Sequence, residues 1–292
     1  MTARLALVLL AFGTIAAGVA GFVGFLGPGA LTEGLQLAAV AGLAASAAHF
    51  AIGLPGRPML ALSLPILAGW SVALALPAAS PSLTLLLAAF AGSVVGAALG
   101  PSAALRPMVC AASTLFLAVL VEVSAAGHAG SRLVAGDALA GAWQAAVALA
   151  AVALAVAWWS EASLGAALLR AARQPRLAAN LGLPPLRLLV TSAAFGGAAA
   201  GVAGVVLAGA GSSAPSPVLG LVLAVAVLIG GAGSISGTLA AVAGLWLLPE
   251  LALRALPSAL GGDPLLAVVG TVALAMFLLM RSGRRWWRSV DG

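Results

Sequence analysis

Long apolar stretches alternate with short breaks rich in Gly, Pro and Ser along this chain. An α-helix needs about 20 apolar residues to cross the hydrocarbon core of a membrane. The pattern therefore predicts an all-α, polytopic integral membrane bundle that forms one transmembrane domain over residues 1–292. About ten spans are expected, at 5–26, 35–54, 59–77, 82–100, 108–126, 140–159, 188–210, 217–232, 237–255 and 265–281.

The composition supports this prediction. The chain is 63% hydrophobic and 7% charged, with a mean hydropathy of +1.19. Soluble domains carry about 25% charged residues, so this chain has too little polar surface for a soluble globule or for a second, soluble domain. Its single cysteine excludes a disulfide framework and a thiolate metal site. The net charge of +6 comes from arginine alone and, in a membrane chain, indicates topology rather than nucleic-acid binding.

The distribution of arginines predicts how the chain is oriented. With ten spans and a cytoplasmic N-terminus, only Arg132 and Arg254 of the 13 basic residues fall in outer segments. Because cytoplasmic segments of membrane proteins are enriched in Arg and Lys, this bias supports the span number and the orientation together. Both termini are then cytoplasmic, and residues 282–292 form a basic cytoplasmic tail.

Glycines at helical spacing predict where helices pack. In lipid, small residues let helix backbones approach one another closely. We expect two such contact faces, unless a chain rich in Ala and Gly scatters its small residues by chance. The glycines concerned are spaced four residues apart and are Gly92, Gly96, Gly100, Gly197 and Gly201.

A short repeat indicates an internal duplication. LAAVAGL occurs at 37–43 and again at 239–245, each time soon after a Gly-rich break. Duplicated halves with interrupted apolar segments are typical of transporters, because broken helices expose backbone groups to a solute. Because the chain is so rich in small and apolar residues, a chance recurrence of LAAVAGL is the alternative.

The sequence over residues 161–187 predicts a cytoplasmic helix-turn-helix loop. Its first helix has a broad apolar face and carries Arg170 and Arg173 one turn apart. A proline then begins a short second helix, which ends at Gly182 and the prolines after it. This shape suits docking of a soluble partner through Arg173 and Arg176, and contact with anionic lipid headgroups is the alternative.

Few side chains are suited to chemistry inside the membrane. Glu122 lies toward the outer end of the fifth predicted span, where it either lines a path or reaches water at the interface. The chain has no paired carboxylates at helical spacing and no Ser-His-Asp set that the topology would bring together, which argues against an enzyme. Residues 231–238 have the spacing of a phosphate-binding loop but lack its lysine. We therefore expect no ATP hydrolysis, no cofactor and no metal.

Several stretches carry the motifs of a known family. RAARQPRLAANLGL (170–183), followed by AGVAG (200–204), resembles the cytoplasmic loop and following helix of permease subunits in the branched-chain amino acid family of ABC importers. GGAGSISGTLAAVAGLWLLPE (230–250) is similar to the family's Gly-Gly-x-Gly-Ser segment and its closing Leu-Leu-Pro-Glu. GVAGFVGFLGPGALTEG (18–34) is a weaker match, and the Gly-His pair that family members often carry there is absent.

The resemblance implies a permease that moves a small polar solute, such as a branched-chain amino acid, inward across a bacterial inner membrane. It implies as partners two cytoplasmic ATPase subunits, a second permease subunit, identical or different, and an extracytoplasmic solute-binding protein, with membrane lipid around them and no nucleic acid. The residues expected to couple the loop to the ATPases are Arg170, Arg173, Arg176, Leu177, Asn180 and Gly182. The Gly-broken segments at 24–34 and 230–237 and the acid of the fifth span supply the expected translocation path. Its residues are Gly27, Gly29, Gly34, Gly230, Gly231, Gly233, Ser234, Gly237 and Glu122.

Two other functions stay open at the level of the sequence. An ion-coupled secondary transporter or channel usually needs an Asp, Glu or His at the membrane midplane to couple an ion, and none is firmly placed here. A structural or assembly protein of the membrane would not need the Gly-rich breaks. Relatives with this architecture move amino acids, urea or sugars, so the resemblance does not choose the substrate.

Overall fold

The computed structural model is mostly helical in the part of the chain that it describes. No strand occurs among these residues, so the all-α prediction is confirmed for them. They are residues 28–56, 59, 61–76, 80–104, 109, 113, 116, 150, 154, 156, 180, 182, 184–209, 217–231 and 234–247.

Helix α1 spans Pro28–Ala48 and continues as a π-helix, π1, over His49–Gly53. Pro28 occupies the first helical position, where its missing N–H removes no intrahelical hydrogen bond. In the stretch Gln36–Gly53, 94% of the residues are buried. Because this stretch is apolar on almost all sides and rich in alanine, neighbouring helices can surround it closely.

Helix α2 spans Ser63–Ala75, and helix α3 spans Pro81–Leu99 and leads into a 3₁₀-helix over Gly100–Ala104. The inner face of α3 is lined by small residues and leucines. Its outer face presents large apolar side chains that are 48% to 67% exposed, namely Leu83, Leu86, Phe90 and Val94. A continuous apolar surface of this kind fits a lipid environment better than water.

Helix α4 spans Pro185–Gly209 and packs against α1, α2 and α3. Its contact with α3 is made by glycines. A Cβ added to Gly197 would lie 2.9 Å from the Cα of Gly96, and one added to Gly92 would lie 2.9 Å from the Cα of Gly201. We call these four residues the glycine seam. The predicted contact faces on the two helices are thus confirmed, and they contact each other.

Two more glycines of α4 lie equally close to other helices. A Cβ on Gly196 would lie 2.7 Å from the carbonyl oxygen of Ala47 in α1, and a Cβ on Gly204 would lie 2.7 Å from the backbone nitrogen of Trp70 in α2. Helix α4 therefore touches three neighbours through backbone atoms.

Helix α5 spans Pro217–Gly230, helix α6 spans Ile235–Val242, and a second π-helix, π2, follows over Ala243–Leu247. Both α5 and α6 pack against α1. The first LAAVAGL lies wholly in α1 and is almost entirely buried, whereas the second passes from α6 into π2 and is partly exposed. The two copies differ in conformation and surroundings, and the duplication stays a prediction.

The described helices agree with six of the predicted spans in position. Three stretches are long and apolar enough to cross a membrane, and they are Gln36–Gly53, Pro81–Ser102 and Leu186–Gly209. Three shorter apolar helices correspond to the spans predicted at 59–77, 217–232 and 237–255. The first and last predicted spans lie outside the described residues, and those at 108–126 and 140–159 are described at only a few positions. The number of spans stays a prediction.

Candidate functional site

The turn between α5 and α6 and the helix ends on either side of it contain most of the described residues that the sequence assigns to a path. Gly231 has a φ of +92°, which side-chain-bearing residues rarely adopt. Ser234 follows as the N-cap of α6, and its hydroxyl oxygen accepts a hydrogen bond from the backbone N–H of Gly237 at 3.3 Å. The hydroxyl of Thr238 donates to the carbonyl oxygen of Ser234 at 2.8 Å. The motif thus forms a capped helix start.

The same motif brings two helix backbones together. A Cβ added to Gly237 would lie 2.7 Å from the carbonyl carbon of Gly230, so neither position has room for a side chain. The close approach of α5 and α6 therefore requires glycine at both positions. Gly233 lies outside the described residues. The role of the motif in a path stays a prediction.

The first Gly-rich segment is not a break over the residues that the structure describes. The sequence predicts an interrupted segment over 24–34, but α1 is continuous from Pro28, so Gly29 and Gly34 lie within a helix. That part of the prediction is wrong. Proline at the first helical position favours a helix, and two isolated glycines are too few to prevent one. Gly27 and Glu122 lie outside the described residues.

The arginine-bearing loop is described only near its end. Asn180 is helical and exposed, and Gly182 has a φ of +67°, the conformation expected of a glycine that ends a helix. Helix α4 then begins at Pro185, three residues before the predicted start, and places Arg187 in its first turn. The remaining predicted coupling residues, Arg170, Arg173, Arg176 and Leu177, lie outside the described residues, and the helix-turn-helix stays a prediction.

A contact that sequence reasoning missed joins α4 to π1. In π1 the backbone N–H of Leu54 donates to the carbonyl oxygen of His49, at 2.8 Å, one residue farther back than in an α-helix. The carbonyl of Phe50 would need the N–H of residue 55 in the same register, but Pro55 has none. The buried hydroxyl of Ser192 donates to this carbonyl instead. Pro55 is the signal in the sequence, since it leaves one carbonyl near the helix end without a local donor.

The described residues offer no metal site, because no three His, Cys, Asp or Glu side chains come together among them. Arg187 is the only Asp, Glu or Arg whose side chain the structure describes, and it is exposed. This part of the molecule consists of apolar helices with close glycine contacts and with large apolar side chains on the outside. These features define a helical membrane protein, with at least three helices long enough to cross the bilayer.

A family model described as "Branched-chain amino acid transport system / permease component" matches residues 30–281. The chain belongs to this permease family. No curated protein and no solved structure matches the chain. The match extends over the arginine-bearing loop, the α5–α6 turn and the glycine seam, and it confirms the resemblance seen in the sequence.

Proposed function

We propose that this chain is the membrane-embedded permease subunit of an ABC importer. In this proposal it carries a small polar solute, with a branched-chain amino acid as the first candidate, across a bacterial inner membrane. Membership of the permease family carries the proposal, because the matched region contains both the loop and helices α2 to α6. A second permease subunit and an extracytoplasmic binding protein would complete the importer.

The energy would come from separate ATPase subunits. Residues 231–238 lack the lysine of a phosphate-binding loop, and they follow the helix α5, whereas such loops follow a strand. The loop at 161–187 would receive the ATPases on the cytoplasmic side, with Arg173 and Arg176 as charged contacts. Its movement would pass into α4, which begins at Pro185 near the end of the loop and packs against three other helices.

Ion coupling is the alternative function. An ion-coupled transporter usually needs an Asp, Glu or His within the membrane to couple an ion. A permease served by an external binding protein does not need one, since the binding protein supplies the selectivity. The translocation path would then need only weak, uncharged contacts with the solute.

The first experiment tests the docking of the ATPases. The double variant Arg173→Glu with Arg176→Glu should lose association with the ATPase subunits and ATP-driven uptake in proteoliposomes. The matched control, Arg284→Glu with Arg285→Glu in the tail, reverses the same number of charges outside the loop and should keep both activities. Unchanged association and uptake in the loop variant would refute the docking proposal. Uptake by the chain alone in response to an ion gradient would instead establish ion-coupled transport.

A further inference from the structure

The buried hydroxyls of the described residues are almost all hydrogen-bonded. Ser46 donates to the carbonyl oxygen of Gly42 at 2.9 Å, and Thr84 donates to that of Ser80 at 3.2 Å. Thr238 and Ser192 also donate to carbonyl oxygens. This is the normal state of a buried polar group, because leaving one unsatisfied costs about 1–3 kcal/mol.

Helix α2 departs from this rule at two positions. The Oγ of Ser63 and the Nε1 of Trp70 are buried and have no hydrogen-bond partner in the part of the chain that the structure describes. Ser63 is fully buried, and Trp70 is 8% exposed. Both positions could hold an apolar residue of similar shape, alanine or phenylalanine, which would avoid the cost.

The position of Ser63 explains why its hydroxyl finds no local acceptor. Ser63 is the first residue of α2, so it has no preceding turn of its own helix, whereas Ser46 donates to a carbonyl oxygen one turn earlier in α1. The N-cap itself is Leu62, which places the serine one residue too late to cap the helix. Neither of the usual local uses of a helical serine applies here.

The two orphan groups lie on the same side of α2. Seven residues correspond to nearly two complete helical turns, so Ser63 and Trp70 differ by about 20° around the helix axis and by roughly 10 Å along it. Gly69, whose backbone lies against that of Gly201 in α4, is about 100° away. Both groups therefore lie on one side of α2, next to the side on which Gly69 and the backbone nitrogen of Trp70 approach α4.

We propose that Ser63 and Trp70 form two successive stations at which α2 hydrogen-bonds the transported solute. The inference deepens the proposed function and rests on it. The indole N–H is only a donor, so the solute must present an acceptor such as a carboxylate or carbonyl oxygen to Trp70, whereas Ser63 can donate or accept. Single, uncharged hydrogen bonds suit a path, since a solute must be released from each station as readily as it binds.

The closing experiment uses cysteine accessibility in the assembled transporter. Cys110 is the single cysteine, so Cys110→Ser provides a cysteine-free background, into which Ser63→Cys is introduced. The matched control is Ser46→Cys, a fully buried serine whose hydroxyl bonds within its own helix. The probe is methanethiosulfonate ethylammonium, applied to proteoliposomes during ATP turnover with and without leucine.

We expect labelling at residue 63 that leucine slows about tenfold, and no labelling at residue 46. Absence of labelling at residue 63 in a preparation that shows ATP-driven uptake would overturn the inference while leaving the proposed function intact. Leucine-protected labelling in a chain that transports without any ATPase would support the stations and refute the ABC assignment. Labelling that leucine does not affect would show access to water only and would also overturn the inference.

A second pair of variants tests the indole. Trp70→Phe removes the N–H and keeps an aromatic ring, and Trp246→Phe in π2 is its control. We expect Trp70→Phe to lower the maximal leucine uptake rate about three- to tenfold, in line with the loss of one hydrogen bond, while ATPase association and the Tm are maintained. An uptake rate equal to that of Trp246→Phe would show that the orphan N–H has no part in transport.

Discussion

The glycine seam allows a quantitative prediction for Gly197→Ala. The added Cβ would lie 2.9 Å from the Cα of Gly96 and nearer still to the carbonyl oxygen of Gly92. Both obstacles are backbone atoms, so no side chain can rotate away. For the new methyl group to lie an ordinary 3.4 Å from Gly96, α3 and α4 must separate by at least about 0.5 Å.

The energetic cost follows from this separation. A gap of about 0.5–1 Å removes a quarter to a half of the dispersion energy of each atom pair, which is itself about 0.1–0.2 kcal/mol. Over a few tens of atom pairs along two long helices, the loss reaches about 1–3 kcal/mol, the usual range for overpacked cores. It exceeds the gain of about 0.4–1 kcal/mol that alanine brings by restricting the unfolded chain.

The measurement is the Tm of the detergent-solubilised protein, with unfolding monitored by size-exclusion chromatography after heating. Gly197→Ala should lower the Tm by several degrees. The control is Gly244→Ala in π2, where an added Cβ meets nothing within 4 Å and φ is not positive. The control should keep or raise the Tm. If Gly197→Ala proved as stable as the control, the close backbone approach of α3 and α4 would be refuted.

Individual interactions allow three further predictions. Ser192→Ala should lower the free energy of unfolding by about 1–3 kcal/mol because the carbonyl of Phe50 loses its donor. Thr191→Ala, at an exposed hydroxyl bonded within its own helix, should change stability little. Equal effects of the two substitutions would refute the hydrogen bond between Ser192 and Phe50. Gly231→Ala should lower the Tm, at a cost of about 1–2 kcal/mol, because alanine is strained at a φ of +92°, and an unchanged Tm would contradict that backbone conformation. Phe90→Arg should reduce membrane insertion in a glycosylation-tag assay, since an arginine at mid-span costs about 2.5–3.5 kcal/mol. Phe90→Leu is the control and should insert normally. Normal insertion of the arginine variant would place this exposed face of α3 outside the lipid.

The features that depend on local spacing were predictable from the sequence. Four-residue glycine spacing places Gly92 with Gly96, and Gly197 with Gly201, on single faces, and the structure brings those faces together. Apart from the start of α1, apolar length located the described spans to within a few residues because the hydrocarbon thickness sets that length. The early start of α1 at Pro28 was missed because glycines were given more weight than a proline that favours helix initiation.

The features that depend on distant parts of the chain were not predictable. The donor for the carbonyl of Phe50 comes from Ser192, 142 residues away, and no local pattern identifies which serine will reach it. The orphan state of Ser63 and Trp70 likewise becomes visible only when every neighbour is in place. The α5–α6 glycines show the opposite case, in which a motif assigned to a path has a sufficient explanation in the close approach of two helices.

The way in which α4 touches its neighbours has a consequence for motion. Side chains at an interface can change rotamer and let two helices slide by small steps, but backbone atoms in direct contact have no such adjustment. Because glycines of α4 press against the main chains of α1, α2 and α3, these four helices resist shear at those points. A transport cycle in this protein would therefore carry them as one rigid block and place its hinge elsewhere.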